Sequence, residues 1–192
     1  RLEAFNPLVP HDPERSGLPV AMFRFVLENR TGQSVDASIA FSLQNFIGND
    51  GAARVTAKPV NELRNDGGLT GILLRAETEP ADASQQGTIA FAVEDGRASW
   101  NRHWARSSWR NDLLAFWDDF SADGVLDDHD ADPERTFTAS LASSVLVPSG
   151  ESRRLTFLLA WHFPHRTAKD CGWALQEGEK TGPVGNHYTS RF

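Results

Sequence analysis

Cysteine and tyrosine each occur once in the 192 residues, at Cys171 and Tyr188. A lone cysteine excludes an internal disulfide and a zinc site built on cysteines. Basic residues are also short. Lys and Arg total 19 against 26 Asp and Glu, a net charge of −7. That balance argues against a general nucleic-acid binder, which presents a basic face. Long apolar runs are missing. The longest, Leu155 to Trp161, is interrupted by Thr156 and is too short to span a bilayer. No apolar core marks Arg1 to Pro10 as a signal peptide. The P-loop, Gly-x-Gly-x-x-Gly and Gly-x-Ser-x-Gly patterns are absent. The compartment is left open by these features, and the reading leans to the cytoplasm.

Aromatic residues other than tyrosine are plentiful, with 12 Phe and 6 Trp. Rings in such number fill a core or cover a partner. Ser34 to Phe46 places Val35, Ala37, Ile39, Phe41 and Leu43 on one face and Ser38, Ser42 and Gln44 on the other. That alternation reads as a half-buried strand. With Pro19 to Glu28 and the turn Asn29-Arg30-Thr31-Gly32-Gln33 it predicts a hairpin. A second hairpin is expected where Thr136–Val147 and Arg153–Phe163 flank Pro148-Ser149-Gly150-Glu151. The latter strand is apolar on both faces and reads as central. Leu69–Ala76 and Thr88–Glu94 are further strands, while Arg1 to Leu18 reads as irregular. Trp109, Leu113, Phe116, Trp117 and Phe120 recur at helical spacing and predict a helix over about 108–120. About six to nine strands and one helix fit an all-β fold. The expected architecture is one antiparallel β-sandwich over 1–192 with a short helical insertion.

Three groups of residues invite a chemical role. The run Asp128-His129-Asp130-Ala131-Asp132 opens like a calcium loop. Pro133 then stands where the loop needs Gly, and Ala139 where it needs a bidentate Glu. Asp128, Asp130 and Asp132 are thus weak Ca²⁺ candidates, and a solvated loop is the favoured reading. His162 and His165 are three apart, but Pro164 opposes a helix and no third ligand is identifiable. No metal and no cofactor are expected. The basic, aromatic stretch Asn101 to Arg106 reads as a loop packing its rings under a partner. The chain opens without Met and stops on Arg191-Phe192, so it is expected to be a segment of a longer protein.

Four stretches in order resemble one family. The first runs Glu3-Ala4-Phe5-Asn6-Pro7, Leu18-Pro19-Val20, Glu28-Asn29 and Phe41-Ser42-Leu43-Gln44-Asn45, with Leu43 where the family often has Trp. The second is Phe116-Trp117-Asp118-Asp119-Phe120 with Asp123-Gly124-Val125-Leu126. The third is Pro148-Ser149-Gly150-Glu151 with Leu159-Ala160-Trp161-His162-Phe163-Pro164, and the fourth is Gly185-Asn186-His187-Tyr188 with Arg191-Phe192. Together they resemble the N-terminal domain of glycoside hydrolase family 116, the β-glucosidases related to non-lysosomal glucosylceramidase. The resemblance implies a supersandwich-like domain packed on an (α/α)₆ barrel that follows residue 192. Both catalytic carboxylates belong to that barrel, so no catalytic residue is assigned here. The implied partners are the barrel and, through it, a β-glucoside or glucosylceramide-like substrate.

Trp, Tyr and Arg are enriched where interfaces bury anchors. On that ground Trp161, His162, Arg166, Asn186, Tyr188 and Arg191 are the expected contacts with the barrel, with Trp161 and Tyr188 as ordinary core residues the alternative reading. A free-standing carbohydrate-binding module is the competing reading, motivated by the six Trp.

Overall fold

Strand Val35–Gln44 keeps the alternation of its sequence, with Ile39, Phe41 and Leu43 packed on the core. The same rule builds the rest of the fold. The structure is a computed structural model that describes residues 1–48, 57–77, 86–106, 109, 111–132, 135–165, 168 and 172. In chain order the described elements are β1 (Leu2–Phe5), α1 (Pro13–Ser16), β2 (Val20–Glu28), β3 (Val35–Gln44), β4 (Lys58–Asp66), β5 (Leu69–Glu77), β6 (Thr88–Val93), β7 (Arg97–Asn101), α2 (Asp112–Asp123), β8 (Thr138–Val147) and β9 (Ser152–His162). A six-stranded sheet runs β1-β2-β9-β6-β5-β4, and a three-stranded sheet runs β3-β8-β7. Every pairing between these strands is antiparallel. The all-β sandwich read from the sequence is the fold observed.

Both expected hairpins are corrected. β2 pairs with β1 and β9, while β3 lies in the other sheet against β8. The second turn likewise leads from β8 in one sheet to β9 in the other. Each turn is therefore an arch that crosses the sandwich. The physical reason is the core. Strands joined this way turn their apolar faces toward each other, and Phe23 and Phe41 meet with ring centroids 5.6 Å apart. The two arches then bond to one another. The Asn29 N–H donates to the Glu151 carbonyl at 2.9 Å, and the Gly150 N–H donates to the Asn29 carbonyl at 3.0 Å.

The opening segment is also more ordered than its prolines suggest, since it holds β1 and α1. β9 is central, as expected, lying between β2 and β6. A true hairpin joins β4 to β5 through Gly67 and Gly68, with φ of 56° and 88°. Two positive φ values suit the twist of a two-residue hairpin turn and favour glycine.

Between the sheets lie Ile72, Leu74, Phe91, Leu141, Leu155 and Phe157, all essentially inaccessible. Phe41 bridges the layers, 5.7 Å from Phe91 and 6.1 Å from Phe157 between ring centroids. The outward face of the smaller sheet is unusual. Ser42 on β3 stands opposite Ser140 on β8, and Ser99 on β7 stands opposite Ala142. Ser140 and Ala142 are nonetheless fully buried. Trp104 covers them, donating from Nε1 to Ser140 Oγ at 2.7 Å and stacking on Phe116 of α2 at 4.6 Å. The helix ends at Gly124, whose φ of 76° and N–H to the Phe120 carbonyl close it. A Cβ at that position would collide with Ser38 of β3. The expected helix over 108–120 is thus present but displaced toward the C-terminus, as a third layer on the small sheet.

Candidate functional site

Trp161 and His162 occupy the last two positions of β9. Adjacent residues on a strand face opposite sides of its sheet. Trp161 therefore continues the core row of Leu155, Phe157 and Leu159 at the end of the sandwich, where it is 36% exposed. His162 pairs with Thr88 on the outward face, and its Nε2 is buried without a hydrogen-bond partner. The structure does not bring these two expected contacts onto one surface. Arg166, Asn186, Tyr188 and Arg191 lie outside the described residues.

The acidic loop after α2 is organised around an arginine. Arg102 Nε donates to both carboxylate oxygens of Asp128, at 3.0 and 2.9 Å, and its backbone N–H adds a third bond at 3.1 Å. The same guanidinium reaches Asp130 Oδ1 at 2.7 Å. Two of the three calcium candidates, Asp128 and Asp130, therefore share an internal cation. Among the described residues no group of three or more His, Cys, Asp or Glu is arranged to hold a metal ion. Beneath this loop His103 is 3% exposed. Its Nδ1 donates to the His129 carbonyl at 2.9 Å, while Nε2 has no partner.

Burial pushes the Asp128 pKa up, but the Arg102 hydrogen bonds and charge outweigh it, and the net shift is downward. The Arg102 guanidinium is correspondingly held more firmly protonated by Asp128. A carboxyl with a depressed native pKa adds stability that is complete above its unfolded value, about 3.9, and is lost as the pH falls through the native value. The urea midpoint of the wild-type domain should therefore exceed that of Asp128→Asn at pH 7. The gap should close as the pH drops from about 4 toward 2. A gap that persists unchanged at the acid end would show that charge plays no part.

Two motif asparagines prove to be clasps. Asn29 Nδ2 donates to the Val147 carbonyl at 2.8 Å and the Gln33 carbonyl at 2.7 Å, tying the two arches together. Asn45, at the end of β3, donates to carbonyls of β4 and β5 and to Asn61 Oδ1. Asn61 passes the connection on to the Arg102 carbonyl at 2.7 Å. Every hydrogen bond described for these two side chains is to the chain itself, so the motif positions serve the fold.

Among the described residues, two apolar surfaces stand out as open. One is on α2. Phe116 and Phe120 turn inward, whereas Leu113, Leu114 and Trp117 are 61%, 60% and 58% exposed. Trp109 just ahead of the helix is also exposed. The sequence reading grouped these rings on one side of the helix; the structure divides them between two. The other surface is the outward face of the six-stranded sheet. One register row joins Phe5, Met22, Leu158, Ala92 and Gly71. The next joins Val20, Ala160, Ala90 and Leu73. At its β4–β5 end lies an open trough of about 660 Å³ floored by Gly71, Ala90 and Ala92. The signal for both surfaces was in the sequence, as helical angle in one case and as a failed apolar–polar alternation in the other.

A family model described as "beta-glucosidase 2, glycosyl-hydrolase family 116 N-term" matches residues 1–192, the full length of this sequence. The four ordered motifs, the two-sheet architecture and this match agree, and the chain belongs to the N-terminal domain family of glycosyl-hydrolase family 116.

Proposed function

We propose that this chain is the non-catalytic N-terminal domain of a retaining β-glucosidase, and that it packs on an (α/α)₆ catalytic domain and helps to wall its cleft. The full-length family match carries the reading. The electrostatics support it. Retaining glycoside hydrolysis needs one carboxyl with a raised pKa as the acid and a second about 5 Å away as the nucleophile. Among the described residues the carboxyls shifted by their surroundings are Glu28, Glu62 and Asp128, and each is shifted down by an arginine partner. Such groups hold a structure together and are poor proton donors. The catalytic pair in this reading belongs to the second domain, beyond residue 192. No described helix is long and apolar enough to cross a membrane.

The test is a mixing experiment. The domain and the catalytic domain are expressed separately and assayed on a chromogenic β-glucoside, alone and together. Turnover is expected from the catalytic domain or the pair and never from this domain alone. Hydrolysis by the pure domain would sink the reading, as would a catalytic domain indifferent to its presence. A second reading, a carbohydrate-binding module, draws on the exposed Trp109 and Trp117. Trp104, by contrast, is buried and Trp100 half-buried. A flat calorimetric titration with β-glucans would remove it.

A further inference from the structure

Helix α2 carries apolar residues over more of its circumference than the sandwich uses. Phe116 and Phe120 suffice to seat it, stacking in line with Trp104. Leu113, Leu114 and Trp117 then fill the neighbouring arc, with exposed Ser121 between them. A surface helix needs one apolar stripe, and a helix apolar on two sides is buried on two sides. Exposed clusters of this kind, rimmed by polar groups, mark interaction sites. Among the described residues from the start of the helix to Asp127, every charged side chain is acidic. Asp118, Asp123 and Asp127 are exposed around the stripe, and the last turn of the helix holds no basic residue.

We infer that α2 is the element by which this domain docks on the catalytic domain, with Trp117 as the central anchor. The inference rests on the proposed domain packing and adds the surface to it. The occupant is a groove of the catalytic domain, apolar at its floor and lined by Lys or Arg at its rim. Three observations favour this surface over the outward face of the six-stranded sheet. Its three large apolar side chains are each about 60% exposed, while on the sheet only Phe5, on the edge strand, reaches 50% and the rest of the two rows is half-buried or buried. Its spacing, Leu113 to Trp117, is the i, i+4 repeat by which helices enter grooves. Its acidic rim supplies the charge complementarity that selects one partner and orients it.

The experiment uses the intact β-glucosidase chain carrying single substitutions Leu114→Cys, Ser121→Cys, Gln33→Cys or Ala92→Cys. Each is labelled with a maleimide and followed peptide by peptide in a mass spectrometer. Gln33 lies exposed in an arch and reports unhindered labelling. Ala92 reports the outward face of the six-stranded sheet. Labelling at 114 and 121 is expected to be at least tenfold slower than at 33. Adding Trp117→Asp to the Ser121→Cys chain should restore a rate within about twofold of that at 33, since a desolvated carboxylate opposes docking. Protection at 121 that survives Trp117→Asp overturns the inference. If 114 and 121 label as fast as 33 while 92 is slow, the domain packs through its sheet; the inference falls and the packing stands. If all four positions label rapidly, both fall together.

Discussion

Replacing Asn45 with alanine is expected to lower the stability of the domain by about 3–5 kcal/mol, read as a fall in urea midpoint. Asn45 sits where β3 ends and reaches into the six-stranded sheet. Its Nδ2 donates to the Val60 carbonyl at 3.2 Å, to Asn61 Oδ1 at 3.0 Å and to the Arg75 carbonyl at 2.9 Å. Its Oδ1 accepts the Ile47 N–H at 3.1 Å, at a position only 2% exposed. Alanine strands that N–H and leaves Asn61 Oδ1 without its donor. Each buried group so abandoned costs about 1–3 kcal/mol. Domains of this kind have about 5–15 kcal/mol in total, so the variant approaches the threshold of folding. Asn45→Asp should do no better. It keeps the acceptor for Ile47 but turns a carboxylate oxygen toward three other oxygens. A loss below about 1 kcal/mol from Asn45→Ala would mean that solvent replaces these bonds, and that the clasp is not what joins the sheets.

The clasp also shows why β4 was not legible in the sequence. Its inward positions are Asn61 and Leu63, and its outward ones include Glu62 and Arg64. A strand that buries an asparagine and carries Pro59 does not alternate in the way that identifies strands. β7 hides for a related reason, since Ser99 and Asn101 face a layer of small residues. Where alternation is clean, as in β3, or the run is apolar on both faces, as in β5, β6 and β9, the elements could be placed to within a residue or two. What alternation cannot show is the sheet to which a strand belongs. Turn residues report a reversal of the chain, and an arch reverses it as well as a hairpin does. Facing apolar rows decide between the two, and Phe23 and Phe41 meet only across the sandwich.

The candidate site was less legible than the fold. Choosing Trp161 and His162 together overlooked the period of two that sends neighbours to opposite faces. The helix was found from its repeat, but the repeat alone does not reveal which arc the sandwich takes. The sheet face beneath Trp104 and the loop after α2 presents Ser38, Ser99 and Ser140, and such residues give no apolar signal in a sequence. Only the position of Trp104 tells Phe116 and Phe120 apart from Leu113 and Trp117.

Trp104→Ala should therefore cost about 3–5 kcal/mol and release α2 from the sandwich. Trp104 is 8% exposed and occupies a junction. Its backbone N–H donates to the Thr138 carbonyl at 3.1 Å, and its own carbonyl accepts the Thr136 N–H at 2.7 Å. Those bonds hold the residue whatever its side chain, so the variant tests the indole itself. The indole stacks on Phe116 with ring planes 15° apart, and its Nε1 donates to Ser140. Trp104→Phe keeps most of the stack and loses the donor, while Ser140 retains Ser42 at 2.7 Å. That change should cost about 1 kcal/mol. Amide exchange separates the two effects. In the alanine variant the amides of 112–123 should exchange nearly as fast as in an unfolded chain, while those of β9 keep a protection reduced only by the global loss of stability; in the phenylalanine variant both should stay protected. An alanine variant with α2 still protected would place the seat of the helix elsewhere, in the loop that runs from Gly124 to Leu126 against Ser38 and Ser99. If the helix is released as expected, the same variant in the intact enzyme presents Trp117 on a mobile support. On the docking proposed for α2, binding then weakens through the loss of a rigid anchor, with every proposed docking side chain still present.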